Sequence, residues 1–222
     1  YDKRGIPYTL GLLLYGDPGC GKTSLIKAIM KETKKHAISI NLNNDFDLSK
    51  LKDLMLDEDI DDLVIPQDKR IFILEDVDAM GDIVKDRNLK EKENKNILNG
   101  ISEEKTLTSE LLLKLEDKKN NLSQLLNIID GIIECPGRII IMTTNQQHIL
   151  DKALIRPGRI DMKVNFTKCN KDMLIHLIQL FYEKKIDISA VEEYQDYSLT
   201  PAEVMEKCFS HKKIEDLLQN IF

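Results

Sequence analysis

Nine residues near the start of the chain, Gly16-Asp17-Pro18-Gly19-Cys20-Gly21-Lys22-Thr23-Ser24, restrict what it can fold into more than any other stretch. Before them, Leu10-Gly11-Leu12-Leu13-Leu14-Tyr15 is a short apolar run, which reads as a buried parallel strand. After them, Leu25, Ile26, Ile29 and Met30 fall on one face of a helix. The nine residues therefore join a strand end to a helix start. Gly16 and Gly21, followed by Lys22 and Thr23, fit the P-loop pattern in the context that pattern requires.

The chemistry follows from that placement. The first N–H groups of a helix have no intrahelical partner, and the helix dipole favours negative charge beside them. Glycines let the backbone curl close around phosphates. The pattern predicts that Gly16, Asp17, Pro18, Gly19, Cys20, Gly21, Lys22, Thr23 and Ser24 cradle ATP or ADP. Lys22 would reach the β- and γ-phosphates, and the Thr23 hydroxyl would bind Mg²⁺. Cys20 fills a free position of the pattern and reads as a small filler, not a nucleophile.

Composition sets the limits. A chain of 222 residues, 42% hydrophobic and 32% charged, suits a soluble protein with one full core and a small second unit. A net charge of −6 argues against a non-specific grip on nucleic acid or anionic membrane, since both need basic patches. Cys20, Cys135, Cys169 and Cys208 are widely separated, which speaks against a metal cluster or a disulfide framework. That usage suits a reducing intracellular compartment, the cytoplasm first. No apolar run reaches membrane-spanning length, and no signal-like leader is present. The chain starts at Tyr1, so it reads as a piece of a longer protein, whose upstream residues have room for a membrane tether. His36, His148, His176 and His211 are scattered and read as ordinary surface or satisfied histidines.

The remaining pattern alternates strands with helices. Ala37–Leu42 alternates as a strand, Asn43–Asp47 is a polar loop, and Ser49–Leu56 reads as a short helix. Arg70–Leu74 is a second buried apolar run. Met80 to about Asn121 is polar and densely charged, which predicts a surface insertion with a helix over Glu110–Glu116. Leu122–Ile133 has helical spacing, and Asp130-Gly131 reads as its ending, with a subunit contact as the alternative. Arg138–Thr143 is a strand ending at Thr144-Asn145, a short helix runs through Ala153 and Leu154, and Met162–Phe166 is a last strand. This predicts an α/β fold: a parallel sheet covered on both faces over residues 1–167. Residues 168–222 predict a small helical lid, with Thr200-Pro201-Ala202-Glu203 as a capping-box helix start and a last helix from about Lys212. No internal repeat is visible.

The run Arg70–Leu74 ends in Glu75-Asp76-Val77-Asp78. An apolar strand ending in two carboxylates after a P-loop is the Walker B arrangement. One carboxylate holds Mg²⁺, through water; the next polarises the attacking water. The usual order is Asp then Glu, and here it is Glu75 then Asp76. The second side chain is one methylene shorter, so it must sit closer to the water or act through another one. Asp78 reads as a helix cap.

The stretches GDPGCGKTS, FILEDVD, LLNIIDG, MTTN and LDKALIRPGRID, in this order, resemble AAA+ ATPases of the AAA clade proper, with a P-loop αβα domain and a helical lid. Arg4-Gly5-Ile6-Pro7-Tyr8 and the Glu-Asp order resemble, more narrowly, the mitochondrial chaperones that translocate the Rieske protein, with their plant and viral-type relatives. The resemblance implies that Asn145 is the sensor 1 amide, set on a strand between those of the P-loop and Walker B. It implies that Arg156 and Arg159 are arginine fingers that serve a neighbouring subunit, in a ring of six or seven. A planar, permanently charged guanidinium suits charge spreading over γ-phosphate oxygens.

The chain departs from the family's pattern in three ways. Arg159 is its last arginine, so no sensor 2 arginine exists, and the lid must hold nucleotide by backbone and apolar contacts around Thr200 to Ala202. The loop after the second strand lacks the aromatic–apolar–glycine triplet of threading rings; Phe46, its one aromatic, reads as packing. Only Tyr1–Thr9 precede the first strand, where the family draws part of its adenine pocket. The expected function is Mg²⁺-dependent ATP hydrolysis driving an unidentified protein client as a ring-shaped remodeller or translocator. Asp76, Glu75, Lys22, Asn145, Arg156 and Arg159 would be its catalytic groups, and Thr23 and Glu75 its metal ligands. The Glu-Asp order also allows a nucleotide-gated binding module with little hydrolysis. A clamp-loader-like protein that handles nucleic acid is a third reading, which the acidic charge opposes.

Overall fold

In the computed structural model the described residues are 9–41, 48–60, 63–79, 122–130 and 136–221. The expected insertion, its Glu110–Glu116 helix, Phe46 and Cys135 lie outside them. The chain divides into two compact units. One holds the residues up to Tyr15 and again Ala28–Val164; the other holds Gly16–Lys27 and the chain from Asn165 onward.

Five strands form the main sheet: β1 (Thr9–Gly16), β2 (His36–Ser39), β5 (Arg70–Leu74), β6 (Arg138–Thr144) and β7 (Met162–Phe166). Their order is β2-β5-β6-β1-β7, and the pairings β2–β5, β5–β6 and β6–β1 are parallel. The sheet and its flanking helices make the αβα layering of P-loop nucleotide-binding proteins. Every residue of β5 and β6 is buried, as expected of central parallel strands covered on both faces. Leu13, Phe72, Leu74, Ile140 and Met142 pack with Leu51 and Met55 of α2 (Leu48–Leu56). The same core takes in Leu122, Leu125, Leu126 and Ile129 of α3, the helix over 122–129. Arg138 at the start of β6 donates from Nη2 to the carbonyl of Ile129, so a buried guanidinium closes the C-terminal end of α3.

The apolar pattern does not forecast two features of this unit. A small antiparallel hairpin, β3 (Asp59–Ile60) with β4 (Leu63–Val64), lies between α2 and β5. Arg70, fully buried, anchors this region: its guanidinium donates to the carbonyls of Ile65 and Leu54. The expected short helix at Ala153 and Leu154 is a turn instead. Asp151 Oδ1 accepts the Ala153 N–H at 2.8 Å, and the Leu154 N–H returns to the Asp151 carbonyl at 2.9 Å. A local carboxylate has taken the donor that a helix would use, and Pro157-Gly158 follow at once.

The sequence Gly11…Asp161 is a stitch across 150 residues. The Gly11 N–H donates to Asp161 Oδ2 at 2.8 Å, and the Asp161 N–H donates to the Gly11 carbonyl, also at 2.8 Å. A Cβ at Gly11 would lie 1.8 Å from the Arg159 carbonyl oxygen, so no other residue fits without moving the backbone.

The second unit has its own core: Leu174 and Ile178 of α4 (Lys171–Tyr182), Val204 and Cys208 of α5 (Pro201–Ser210), and Ile214 and Leu217 of α6 (Ile214–Asn220). Among the described residues beyond Phe166 there is no strand. The capping box is formed in full: Thr200 Oγ1 accepts from the Glu203 N–H, and the Glu203 side chain accepts from the Thr200 N–H. The Thr200 backbone N–H, followed by the Thr200 hydroxyl donating to the same carboxylate at 2.9 Å, holds the Glu203 carboxyl below its ordinary pKa.

Candidate active site

In the second unit, β1 ends at Gly16, with φ 135°. A Cβ there would lie 1.9 Å from the Phe166 carbonyl oxygen, so both the conformation and the space require glycine. Asp17–Gly21 form the loop, and Lys22 opens α1 (Lys22–Thr33). Lys22 is buried, and its ammonium donates to the carbonyls of Gly16 at 2.7 Å and Asp17 at 3.0 Å. The loop thus wraps around its own lysine. Gly19 lies against the start of α5: its carbonyl accepts the Ala202 N–H at 3.1 Å. Thr23 and Ser24 follow in the first turn of α1, both exposed. Cys20 is buried, and burial, followed by the Asp17 charge, pushes its thiol above the ordinary value. A thiol kept protonated is a poor nucleophile, in line with its reading as a filler.

This loop fits a phosphate chain. Space is open at the Cβ position of Gly21, whose φ is 99°. A lysine ammonium sits inside the loop on carbonyl oxygens, the acceptors that phosphate oxygens would replace. Thr23 offers a hydroxyl oxygen, a hard donor suited to Mg²⁺.

In the first unit, Glu75 and Asp76 leave the end of β5 and are exposed. Asp76 has φ 49°, in the left-handed region, which costs a non-glycine residue roughly 1–2 kcal/mol. Two bonds hold it there: its N–H donates to Thr143 Oγ1 at 2.8 Å, and its carbonyl accepts the Ala79 N–H at 2.8 Å. A one-turn 3₁₀ helix, Val77–Ala79, follows, and Val77 is its buried anchor. Asp78 Oδ1 accepts the Asn145 N–H at 3.2 Å; the residues after Ala79, where a helix for it to cap would lie, are outside the described ones. Asn145 is exposed just past the end of β6, and β6 does lie between β5 and β1. The structure therefore brings Asp76, Thr143, Asp78 and Asn145 together across the β5–β6 seam.

Arg156 and Arg159 meet at one carboxylate. Arg156 Nη2 is 2.9 Å from Asp130 Oδ2, and Arg159 Nε is 3.3 Å from the same oxygen. The two arginines differ in burial: the Arg156 side chain is 55% exposed and that of Arg159 is 7%. Arg159 also donates from Nη1 to the Ala153 carbonyl. Burial, followed by the neighbouring Arg156 charge, pushes its guanidinium below the ordinary value. Within this one chain Arg159 is held between the Ala153 carbonyl and Asp130, and Arg156 is the more exposed of the two.

Sequence reasoning did not single out Thr143 as a partner of Asp76, nor Asp130 as the meeting point of the two arginines. The only local hint of the first is the pair of hydroxyls, Thr143-Thr144, that closes the apolar run Ile139–Met142.

The fold and the loop define a P-loop nucleotide-binding protein with a helical lid. A family model described as "ATPase family associated with various cellular activities (AAA)" matches residues 12–168, and the chain belongs to this family. It is 34% identical over 194 residues to the "Putative AAA family ATPase L572" of Acanthamoeba polyphaga mimivirus, covering 85% of this chain and 94% of that protein. It is 36% identical over 182 residues to the "Mitochondrial chaperone BCS1" of Bos taurus, covering 82% of this chain and 37% of that one. It is 32% identical over 229 residues to "Protein HYPER-SENSITIVITY-RELATED 4" of Arabidopsis thaliana, covering 100% of this chain and 35% of that one. The chain thus spans nearly all of the viral relative and well under half of the chaperone and plant relatives. The narrower resemblance to the chaperone group and its plant and viral relatives is what these likenesses show. ATP-driven remodelling is supported at that family level. No helix among the described residues is long and apolar enough to cross a membrane.

Proposed function

We propose that this chain is the motor domain of an Mg²⁺-dependent ATPase that works as a ring and remodels or translocates a protein client. The observation that carries this reading is the loop Gly16–Ser24 wrapped around the Lys22 ammonium, in a chain of the AAA family. On binding, Lys22 exchanges the neutral Gly16 and Asp17 carbonyls for charged phosphate oxygens, so that both partners of the bond are ionised. Thr23 and Glu75 would hold Mg²⁺, which when bound neutralises charge on the β- and γ-phosphates. The Asp76 carboxylate orients the attacking water and draws on its proton. The Asn145 side-chain amide donates to the γ-phosphate or to that water. Arg156 reaches the neighbouring subunit's nucleotide, and Arg159 braces the turn that carries it. The core would span residues 1–167 and the lid 168–222, with Thr200–Ala202 as the lid's part of the site.

A ring enzyme with a finger supplied by its neighbour has a concentration signature. Phosphate release per subunit should rise as subunits associate, and size measured alongside should rise with it. A constant rate per subunit across the association range would remove the shared site. ATP binding without phosphate release at any concentration would favour the nucleotide-gated binding module. A rate stimulated by DNA and lost steeply with salt would favour a nucleic-acid-handling protein.

A further inference from the structure

We propose that Thr143 is a positioning residue for hydrolysis: its buried hydroxyl fixes the left-handed backbone turn from which Asp76 meets the attacking water. This rests on the role given to Asp76 above. In the parallel pair β5–β6, Leu74 stands beside Met142. One step further along β6 is Thr143, and the chain opposite has left the strand. The Asp76 N–H turns to Thr143 Oγ1 at 2.8 Å, and Asp76 takes φ 49°. Thr143 is only 2% exposed, so this acceptor is shielded from water and held by the packed strand around it. The Ala79 N–H closes the turn from the other side, on the Asp76 carbonyl at 2.8 Å. The second stitch, Asn145 backbone N–H to Asp78 Oδ1 at 3.2 Å, ties the backbone of Asn145 to the same turn.

The device also accounts for the inverted order of the two carboxylates. Left-handed backbone is tolerated by Asp, with its short polar side chain, better than by longer residues. A turn at the second position therefore favours Asp there, and the longer Glu falls at the first. A short carboxylate on a turned backbone depends on that turn for its aim. A misplacement of about 1 Å in an active site can cost about 10²-fold in rate.

The test is Thr143→Val, which keeps the shape and removes the hydroxyl, with Thr143→Ser as the conservative partner. Three quantities are read: kcat and KM for ATP, affinity for an ATP analogue with Mg²⁺, and hydrogen exchange of the Asp76 amide. Thr143→Val should lower kcat by about 10²-fold, leave analogue affinity within about twofold, and speed exchange at Asp76. Thr143→Ser should restore most of kcat and the slow exchange. A Thr143→Val chain that turns over and exchanges like the parent overturns the proposal. Equal loss in both variants also overturns it, because packing and not the hydroxyl would then matter. If the parent binds the analogue but releases no phosphate, the hydrolytic reading fails. Unchanged exchange at Asp76 in Thr143→Val then overturns the positioning role by itself. If Thr143→Val does not fold, Thr143→Ser against Thr143→Ala gives the same comparison.

Discussion

Asp76→Asn should bind ATP as tightly as the parent chain and fail to hydrolyse it. Positioned general bases contribute typically 10²–10⁴-fold, so kcat should fall by about that factor. The substitution suits the backbone: Asn is also enriched in left-handed conformations, so the φ of 49° need not change. The Asp76 N–H keeps its acceptor on Thr143, since only the side chain has changed. The loss is therefore confined to the carboxylate charge and proton affinity. Single-turnover phosphate release, paired with analogue binding, separates the two steps. Unchanged turnover would take the water-activating role away from Asp76; lost binding would mean that the substitution acted on the nucleotide site as a whole.

Arg156→Ala should be at least as damaging, and only where subunits meet. An arginine finger is worth roughly 10³–10⁵ in rate in phosphoryl transfer. The contrast in burial picks Arg156 over Arg159 for this role: 55% against 7% side-chain exposure. The ion pair of Arg156 with Asp130, at 2.9 Å, is largely solvated. Exposed pairs of this kind are worth about 0–1 kcal/mol, so Asp130 can release the guanidinium to a neighbour at little cost. Arg156→Ala should keep the melting temperature of the parent and its ATP affinity. Its kcat should stay at the dilute-subunit rate across the whole concentration series. Doping active subunits with this variant should depress their turnover. Arg159→Ala, by contrast, should lower stability, because it strips the Ala153 carbonyl and Asp130 of a buried partner. A parent-like rate for associated Arg156→Ala subunits would overturn the finger assignment.

What could be read from the sequence was local. The P-loop needs only adjacent residues, and Gly16 and the start of α1 fall where the pattern puts them. The runs 70–74 and 138–143 carry enough aliphatic residues to mark central strands, and both are buried throughout. Thr200-Pro201-Ala202-Glu203 holds a complete helix-start signal within four residues, and the capping box formed. Features that rest on long-range partners stayed hidden. Thr143 and Asp76 are 67 residues apart, and nothing in either segment names the other. Asp130 looks like a helix ending until the arginines 26 and more residues away arrive at its oxygen. Arg70 reads as a polar strand start, yet it is fully buried on backbone carbonyls that only the hairpin and the end of α2 supply. At Ala153 the apolar pattern was right about burial nearby, but the Asp151 carboxylate set the backbone.

The central claim is that the loop around Lys22 receives a triphosphate. Calorimetric titration of ATP with Mg²⁺ into the chain and into Lys22→Ala tests it most directly. The ammonium makes charge-assisted bonds, worth about 1.5–3 kcal/mol each, so its removal should weaken binding by at least about tenfold while the fold stays intact. Saturable binding by the parent, weakened to that extent in Lys22→Ala, is the expected result. Equal affinity in the two chains, or no heat of binding in the parent, would contradict it.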